Sequence, residues 1–298
     1  MKSRDAIDWP RGILCGMASA GLFGLSTPLS KRLLPDIRPM MLAGLLYLGA
    51  GLGLTILSLV TRRTWPTFKR ADWWRLAIVA AVGGFLSPLL LMLGLQRVSG
   101  LVASLLLNLE AVATMVLAVT FFRDRLAGSE WLGAALIVAG AIVLGYRPGS
   151  LAADQWGVLA IASACVGWGL DNNLTQRVSS YDAVAIVQVK ALSAGTANVL
   201  LALAVRQQFP SKAPLGDALL VGFFCYGISI VLDVYALRFL GAAREAAIFA
   251  TAPFLGAIAA IVILGERGGL SEVVAGILML TGIVAFRQRR RAHVEGWP

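Results

Sequence analysis

Charge is scarce in this sequence. Asp, Glu, Lys and Arg make up 14% of its 298 residues, while 58% are hydrophobic. A soluble domain carries about 25% charged residues, so an ordinary water-exposed surface cannot be built from this chain. Histidine occurs once, at His293 in the C-terminal tail. Zinc chemistry, a histidine proton relay and intramembrane Ser/His proteolysis are thereby excluded. No aspartate cluster such as DDxxD is present to hold a magnesium diphosphate, and phosphatase-like Arg/His clusters are missing too. The three cysteines, Cys15, Cys165 and Cys225, each lie inside an apolar run without CxxC spacing. They read as structural thiols, with neither a disulfide nor a metal site supported. No cofactor is implied.

Long apolar runs fill the remainder. A membrane-spanning helix needs about 20 mostly apolar residues, and about ten such segments fit between short polar breaks. The expectation is an all-α, multi-pass membrane protein with ten transmembrane helices. The net charge of +10 is distributed in a way that favours lipid over nucleic acid. With the N-terminus placed in the cytoplasm, alternate breaks put 16 Lys and Arg on that side and eight on the other, with Lys190 and Arg244 inside spans. Positive charge resists translocation, so both termini are expected to be cytoplasmic. The basic tail, residues 288–298, reads as a topology anchor beside anionic lipid, and no nucleic-acid partner is expected. No cleavable signal peptide is evident. Trp9, Trp65, Trp73, Trp74, Trp131 and Trp156 fall at or beside span ends, where indoles favour the headgroup layer; Trp168 alone is mid-span.

The sequence also repeats itself. "GILCGMASAGLFGLSTPLSKR" from Gly12 aligns without gaps with "GVLAIASACVGWGLDNNLTQR" from Gly157. "FRDRLAGSEWLGAALIVAG" from Phe122 faces "LGERGGLSEVVAGILMLTG" from Leu264, pairing Asp124 with Glu266 and Glu130 with Glu272. Each copy holds five spans, an odd number, so the second must enter the membrane from the opposite side. That predicts a 5+5 inverted-topology repeat, residues 12–146 and 156–287, with two nearly equivalent packings that allow alternating access.

With "NLEAVATMVLAVTFFRDRL" in the fourth span and "TAPFLGAIAAIVILGER" in the ninth, the chain resembles the EamA-type drug/metabolite transporter (DMT) superfamily over nearly its whole length. The resemblance implies that spans 1, 3, 4, 6, 8 and 9 wall a central cavity, with 5 and 10 peripheral. It implies export of small metabolites across a cell membrane, the bacterial inner membrane for members that export amino acids, including aromatic ones. The family often carries a mid-span proline in both the fourth and ninth helices. Here Pro253 is present, but its aligned position is Ala111, so the sequence offers a helix breaker in only one of the two.

Polar side chains within spans are costly, by about 2.5–3.5 kcal/mol for a charge at a helix centre, and mark the bundle interior. Trp168, Asp171, Asn172 and Thr175 share one helical face by their i, i+3, i+4, i+7 spacing. The aligned positions of the first span are Phe23, Ser26, Thr27 and Ser30. These two stripes are expected to line the cavity, with Tyr226 of the eighth span, although small residues at close helix contacts would also explain the serines and threonines. At about 1.5 Å per residue, Asp171 and Lys190 come to similar depth, which predicts a structural ion pair between adjacent helices. Asp233 is expected near Arg238 or Arg244. Glu110 comes about 16 Å into the fourth span, near the midplane. Three roles stand open for it: binding a substrate ammonium, taking up a coupling proton, or bonding a neighbouring helix as a neutral structural group.

The functional expectation is a secondary transporter that exports an amphiphilic zwitterion, such as an aromatic amino acid, with an indole available for stacking or cation–π contact. A nucleotide sugar or drug-like solute is the alternative cargo; a membrane enzyme or a channel is the alternative class. "GAGLGL" at residues 49–54 leaves two uses open, a homo-oligomer face or close packing within the bundle.

Overall fold

The computed structural model describes residues 9–122, 128–146, 151–178, 180–240 and 248–294. Regular structure among them is entirely helical. In chain order the helices are α1 (Trp9–Leu33), α2 (Pro39–Val60), α3 (Trp73–Ile78), α4 (Ser87–Leu95), α5 (Gly100–Leu106), α6 (Leu109–Phe122), α7 (Gly128–Gly145), α8 (Leu151–Val178), α9 (Ala183–Ala204), α10 (Lys212–Val221), α11 (Ser229–Leu240), α12 (Ala252–Leu264) and α13 (Leu270–Val294). Two π-helical segments, π1 (Val79–Leu86) and π2 (Gly222–Ile228), join α3 to α4 and α10 to α11.

Among the described residues, seven helical stretches are long and apolar enough to cross a membrane, and two shorter apolar helices follow, Ala252–Leu264 and Leu270–Ala285. The 28-residue α8 has the length but carries Asp171, Asn172, Asn173 and Gln176, and is not among the seven. Length and apolarity alone thus reach fewer than the ten spans expected, because α8 is too polar and the last two apolar helices are too short. Trp65, Trp73, Trp74, Trp131 and Trp156 are exposed at or near helix ends, whereas Trp168 is buried.

One of the seven, Gly100–Phe121, is interrupted between α5 and α6, at Leu107 and Asn108. The break needs no proline. Asn108 Nδ2 donates to the Leu105 carbonyl at 2.9 Å, and the backbone tightens so that Asn108 N and Glu110 N donate three residues back, to Leu105 O and Leu107 O. A short polar side chain that bonds its local carbonyls competes with helical pairing. Ahead of α12 the same device recurs. Thr251 Oγ1 donates to the Ile248 carbonyl at 2.7 Å, and Pro253 has no N–H to continue the ladder. The helix break expected from proline on one side only is therefore present on both.

Other features also occur twice. Helices α2 and α9 are both 22 residues long. Each ends on an arginine in the left-handed region, Arg62 at φ 49° and Arg206 at φ 59°, closed by a bond from the next residue back to Ser58 O or Ala202 O. That is a Schellman stop with a non-glycine at its left-handed position.

Helix pairing divides the bundle. One lobe groups α8 with α4, π1 and α6; the other groups α1 with α11, π2 and α12. Helices α2 and α9 pack extensively on each other between the lobes, and α7 packs on α13. Glycines make these approaches possible. A side chain at Gly49, Gly51 or Gly53 would strike Leu219, Leu192 or Phe223 respectively. The glycines of "GAGLGL" are therefore used inside the bundle.

Candidate functional site

The polar groups of the bundle interior gather around π1. A π-turn leaves a backbone carbonyl free of its usual helical donor, and Gly83 O accepts from both Trp168 Nε1 at 2.9 Å and Tyr47 OH at 3.1 Å. The absence of a side chain at Gly83 is required, because an added Cβ would collide with the Asp171 carboxylate. Asp171 Oδ2 in turn accepts from Lys190 Nζ of α9, and Thr175 Oγ1 donates to Asp171 Oδ1 at 3.3 Å. Asp171 and Lys190 are both buried. Two charges this deep are held only where each has a partner, since desolvation is otherwise prohibitive.

Glu110 occupies the first turn of α6, just past the break. The positive dipole end of a helix favours a carboxylate there. Its Oε1 accepts from Asn172 Nδ2 at 2.8 Å, and the same amide reaches Thr114 Oγ1 at 3.3 Å. The acid that lacks a cation at its own depth is thus partnered by an amide of α8. Asp171, Lys190 and Asp233 all lie within electrostatic reach of Glu110. The docking of α6 on α8 is close: a Cβ at Gly169 would come within 2.7 Å of Thr114 N, and Asn173 Nδ2 donates to both Thr114 O (2.9 Å) and Gly169 O (2.8 Å).

The opposite lobe presents rings and hydroxyls. Phe23 meets Tyr226 edge-on at 6.2 Å between centroids and Phe249 at 5.3 Å. Tyr47 bridges the lobes, with its ring 5.6 Å from that of Tyr226. Ser26, Thr27, Ser30 and Tyr226 are buried, and the hydroxyls of Ser26, Ser30 and Tyr226 make no hydrogen bond among the described residues.

The structure therefore brings Trp168, Asp171, Lys190, Asn172, Thr175 and Glu110 into one connected group, with Phe23, Ser26, Ser30 and Tyr226 in the facing lobe. One detail departs from the sequence reading. The Trp168 edge is committed to Gly83 and its side chain is 5% exposed, so the indole braces α8 against π1. Asn172, by contrast, is exposed. Asp233 is half-buried on α11; Arg244 and the side chain of Arg238, its expected neighbours, lie outside the described residues, as does Asp124. Tyr47 and Gly83 were missed. Their only sequence signals are a lone hydroxyl within "LAGLLYLGAGLGL" and a paired glycine in "VGGFLSP".

Comparison with known proteins gives this arrangement its context. The chain is 30% identical over 281 residues to a protein described as an uncharacterized transporter of Methanothermobacter thermautotrophicus strain Delta H, covering 88% of this chain and 81% of that one. A solved crystal structure shares its fold, with a TM-score of 0.70 at 18% identity over 93% of this chain and 98% of the other. The model of the EamA-like transporter family matches twice, over residues 10–146 and 155–287. Family and relative alike point to transport rather than catalysis, and to a multi-pass protein in a lipid bilayer handling small molecules. By sequence match across nearly its whole length, the chain belongs to the EamA-like transporter family.

Proposed function

We propose that this transporter exports amino acids, aromatic ones included, by alternating access between two inverted five-helix repeats. In this reading ten spans bring both termini to one side, taken as the cytoplasm from the Lys and Arg distribution, of a plasma membrane that is the inner membrane in a Gram-negative bacterium. The observation that carries the substrate reading is Glu110, set at the start of α6 and held by the exposed Asn172 beside the Asp171–Lys190 pair. Counting these three ionisable groups, the cluster has one more carboxylate than ammonium, so it favours a substrate amine. The rings of Phe23, Tyr226 and Phe249 offer an apolar wall for the substrate side chain. Phosphates of a nucleotide sugar would need several accessible cations, and Lys190 is already engaged.

The repeat reading draws support from recurrence in space. Breaks before α6 and α12, π-segments in the third and eighth spans, and left-handed arginine stops on α2 and α9 recur in matching order. The direction of transport and the orientation rest on the family resemblance and on the uneven distribution of Lys and Arg.

Counterflow in proteoliposomes tests the reading. Labelled tryptophan, phenylalanine, leucine or threonine is exchanged against unlabelled competitor, with a nucleotide sugar in the same panel. Saturable amino-acid exchange is expected in the parent protein. In Glu110→Gln the oxygen that accepts from Asn172 is kept while the charge is removed, and exchange should fall at least about tenfold, the scale of one lost charge-assisted contact. Full activity in that variant would return Glu110 to a structural role. Exchange of the nucleotide sugar alone would overturn the substrate class.

A further inference from the structure

The two halves of the fourth span differ sharply. All seven residues of α5 are buried, whereas in α6 only Val112 is, among its described side chains. Helix α5 is wedged against α12 and α1, while α6 rests on α8 and, to a lesser extent, on α7. The α5 end is also tied by a set of charged contacts. Glu266, in the connection after α12, accepts from the first backbone N–H groups of α5, with Gly100 N at 2.8 Å and Leu101 N at 2.7 Å from its two oxygens. Beside it, Lys31 Nζ at the end of α1 donates to the free carbonyls Leu95 O at 2.5 Å and Val98 O at 2.8 Å, within electrostatic reach of Glu266. Gly100 is packed so close to Leu264 that a Cβ there would come within 2.8 Å of its Cδ1. Four spans are thereby joined at one mouth: the first to the third through Lys31, and the ninth to the fourth through Glu266.

We infer that Glu266 and Lys31 form the gate latch of this mouth, extracellular in the proposed orientation, and that the structure is the state in which that mouth is shut and the α6 end is parted. This inference rests on the alternating-access reading. The latch uses backbone groups that exist on any helix end, so its strength comes from the single carboxylate that reaches across. Both carboxylate bonds are charge-assisted and half-buried, which makes them stronger than neutral bonds. For the mouth to open, Glu266 must leave Gly100 and Leu101, and Lys31 must release the carbonyls of α4's end. A latch of this kind sets the balance between the two states without touching substrate.

The test reads conformation directly, so it does not depend on which solute is carried. In a background with Cys15, Cys165 and Cys225 replaced by alanine, Ser104→Cys reports the α5 mouth and Asn172→Cys the opposite one, each compared with and without the latch substitution so that the lost Asn172–Glu110 bond is common to both arms. Ser104 is buried one turn below the latch and Asn172 is exposed. Each reporter is labelled with a membrane-impermeant maleimide from its own side. Glu266→Gln should speed labelling of Ser104→Cys at least about tenfold, the population shift from weakening one charge-assisted contact, and slow labelling of Asn172→Cys in step. Lys31→Met should act in the same direction, more weakly, and serves as the second variant if Glu266→Gln unfolds. Unchanged labelling at Ser104→Cys in folded protein overturns the latch, as does faster labelling there with no decrease at Asn172→Cys, which would mean local fraying. Failure of every amino acid in counterflow, with these labelling changes intact, would sink the substrate reading and leave the latch standing.

Discussion

The two lobes of the bundle share a packing scheme and differ in what they bury. Around α8, nearly every polar group is spoken for by a directed bond: Trp168 to Gly83, Lys190 to Asp171, Asn172 to Glu110, Asn173 to Thr114. Around α1, contact is made by the rings of Phe23, Tyr226 and Phe249 and by the reciprocal bonds of Ser19 and Ser229 to each other's carbonyls, at 2.9 and 3.1 Å. Directed bonds hold ligating groups at fixed positions, while rings packed on rings can shift to suit side chains of different size. On the proposed amino-acid reading, recognition of a common charged group and tolerance of variable apolar parts would be divided between the lobes.

The largest effect expected from breaking this contrast comes at Lys190. In Lys190→Met, Asp171 is left as a buried charge without its partner, at a cost of about 3–5 kcal/mol. Adding Asp171→Asn to that change should recover most of the loss. Leu46 occupies the same helical position in α2 that Lys190 holds in α9, eighth from the start, and Leu46→Met should cost less than about 1.5 kcal/mol. Thermal unfolding in detergent micelles reads all three, and equal losses at Lys190 and Leu46 would erase the distinction between the lobes.

Gly83→Ala comes next. The new methyl group must displace the Asp171 carboxylate, and overpacking of this kind costs about 1–3 kcal/mol. Transport should fall with it, because π1 and α8 would be forced apart. Trp168→Phe removes the N–H donated to Gly83 O together with part of a buried ring system, and about 1–2 kcal/mol is expected for bond and cavity together, since Tyr47 still serves that carbonyl. A much larger loss would show that the indole contributes more than a brace. The smallest change is a gain. Arg62→Gly and Arg206→Gly each relieve a left-handed non-glycine residue and should each stabilise by about 0.5–1 kcal/mol. A gain at one site only would show that the two helix stops, alike in geometry, are not alike in strain.

Much of this was legible in the sequence because it follows from composition and period. Apolar length marks the helices, spacing puts Trp168, Asp171, Asn172 and Thr175 on one face, and rise per residue brings Asp171 level with Lys190. What was not legible depends on backbone departures from the regular helix. Nothing in Leu107–Asn108 resembles a breaker, since asparagine is tolerated in helices and its competition for the Leu105 carbonyl is a local choice. Glu110 looked stranded for that reason: without the break it sits mid-helix, with no dipole end to face. Likewise, the role of Tyr47 requires a π-segment to expose the Gly83 carbonyl, and no side-chain pattern announces one. The partnership of Asn172 with Glu110 joins residues 62 positions apart, beyond the reach of any local period.

That separation bears on how the chain is made. Asp171 and Lys190 are 19 residues apart on consecutive helices, so a single hairpin leaving the translocon can carry its own neutralised pair into lipid. Glu110 has no such companion nearby in the chain. Its helix must enter the bilayer before α8 has been synthesised, and its carboxylate must wait for an amide that arrives about 60 residues later. Biogenesis therefore has an order written into it: α5 and α6 can be inserted early, but α6 is not settled until α8 is in place. A ribosome-stalled series, truncated just before and just after α8, should show α6 passing from extractable to firmly anchored.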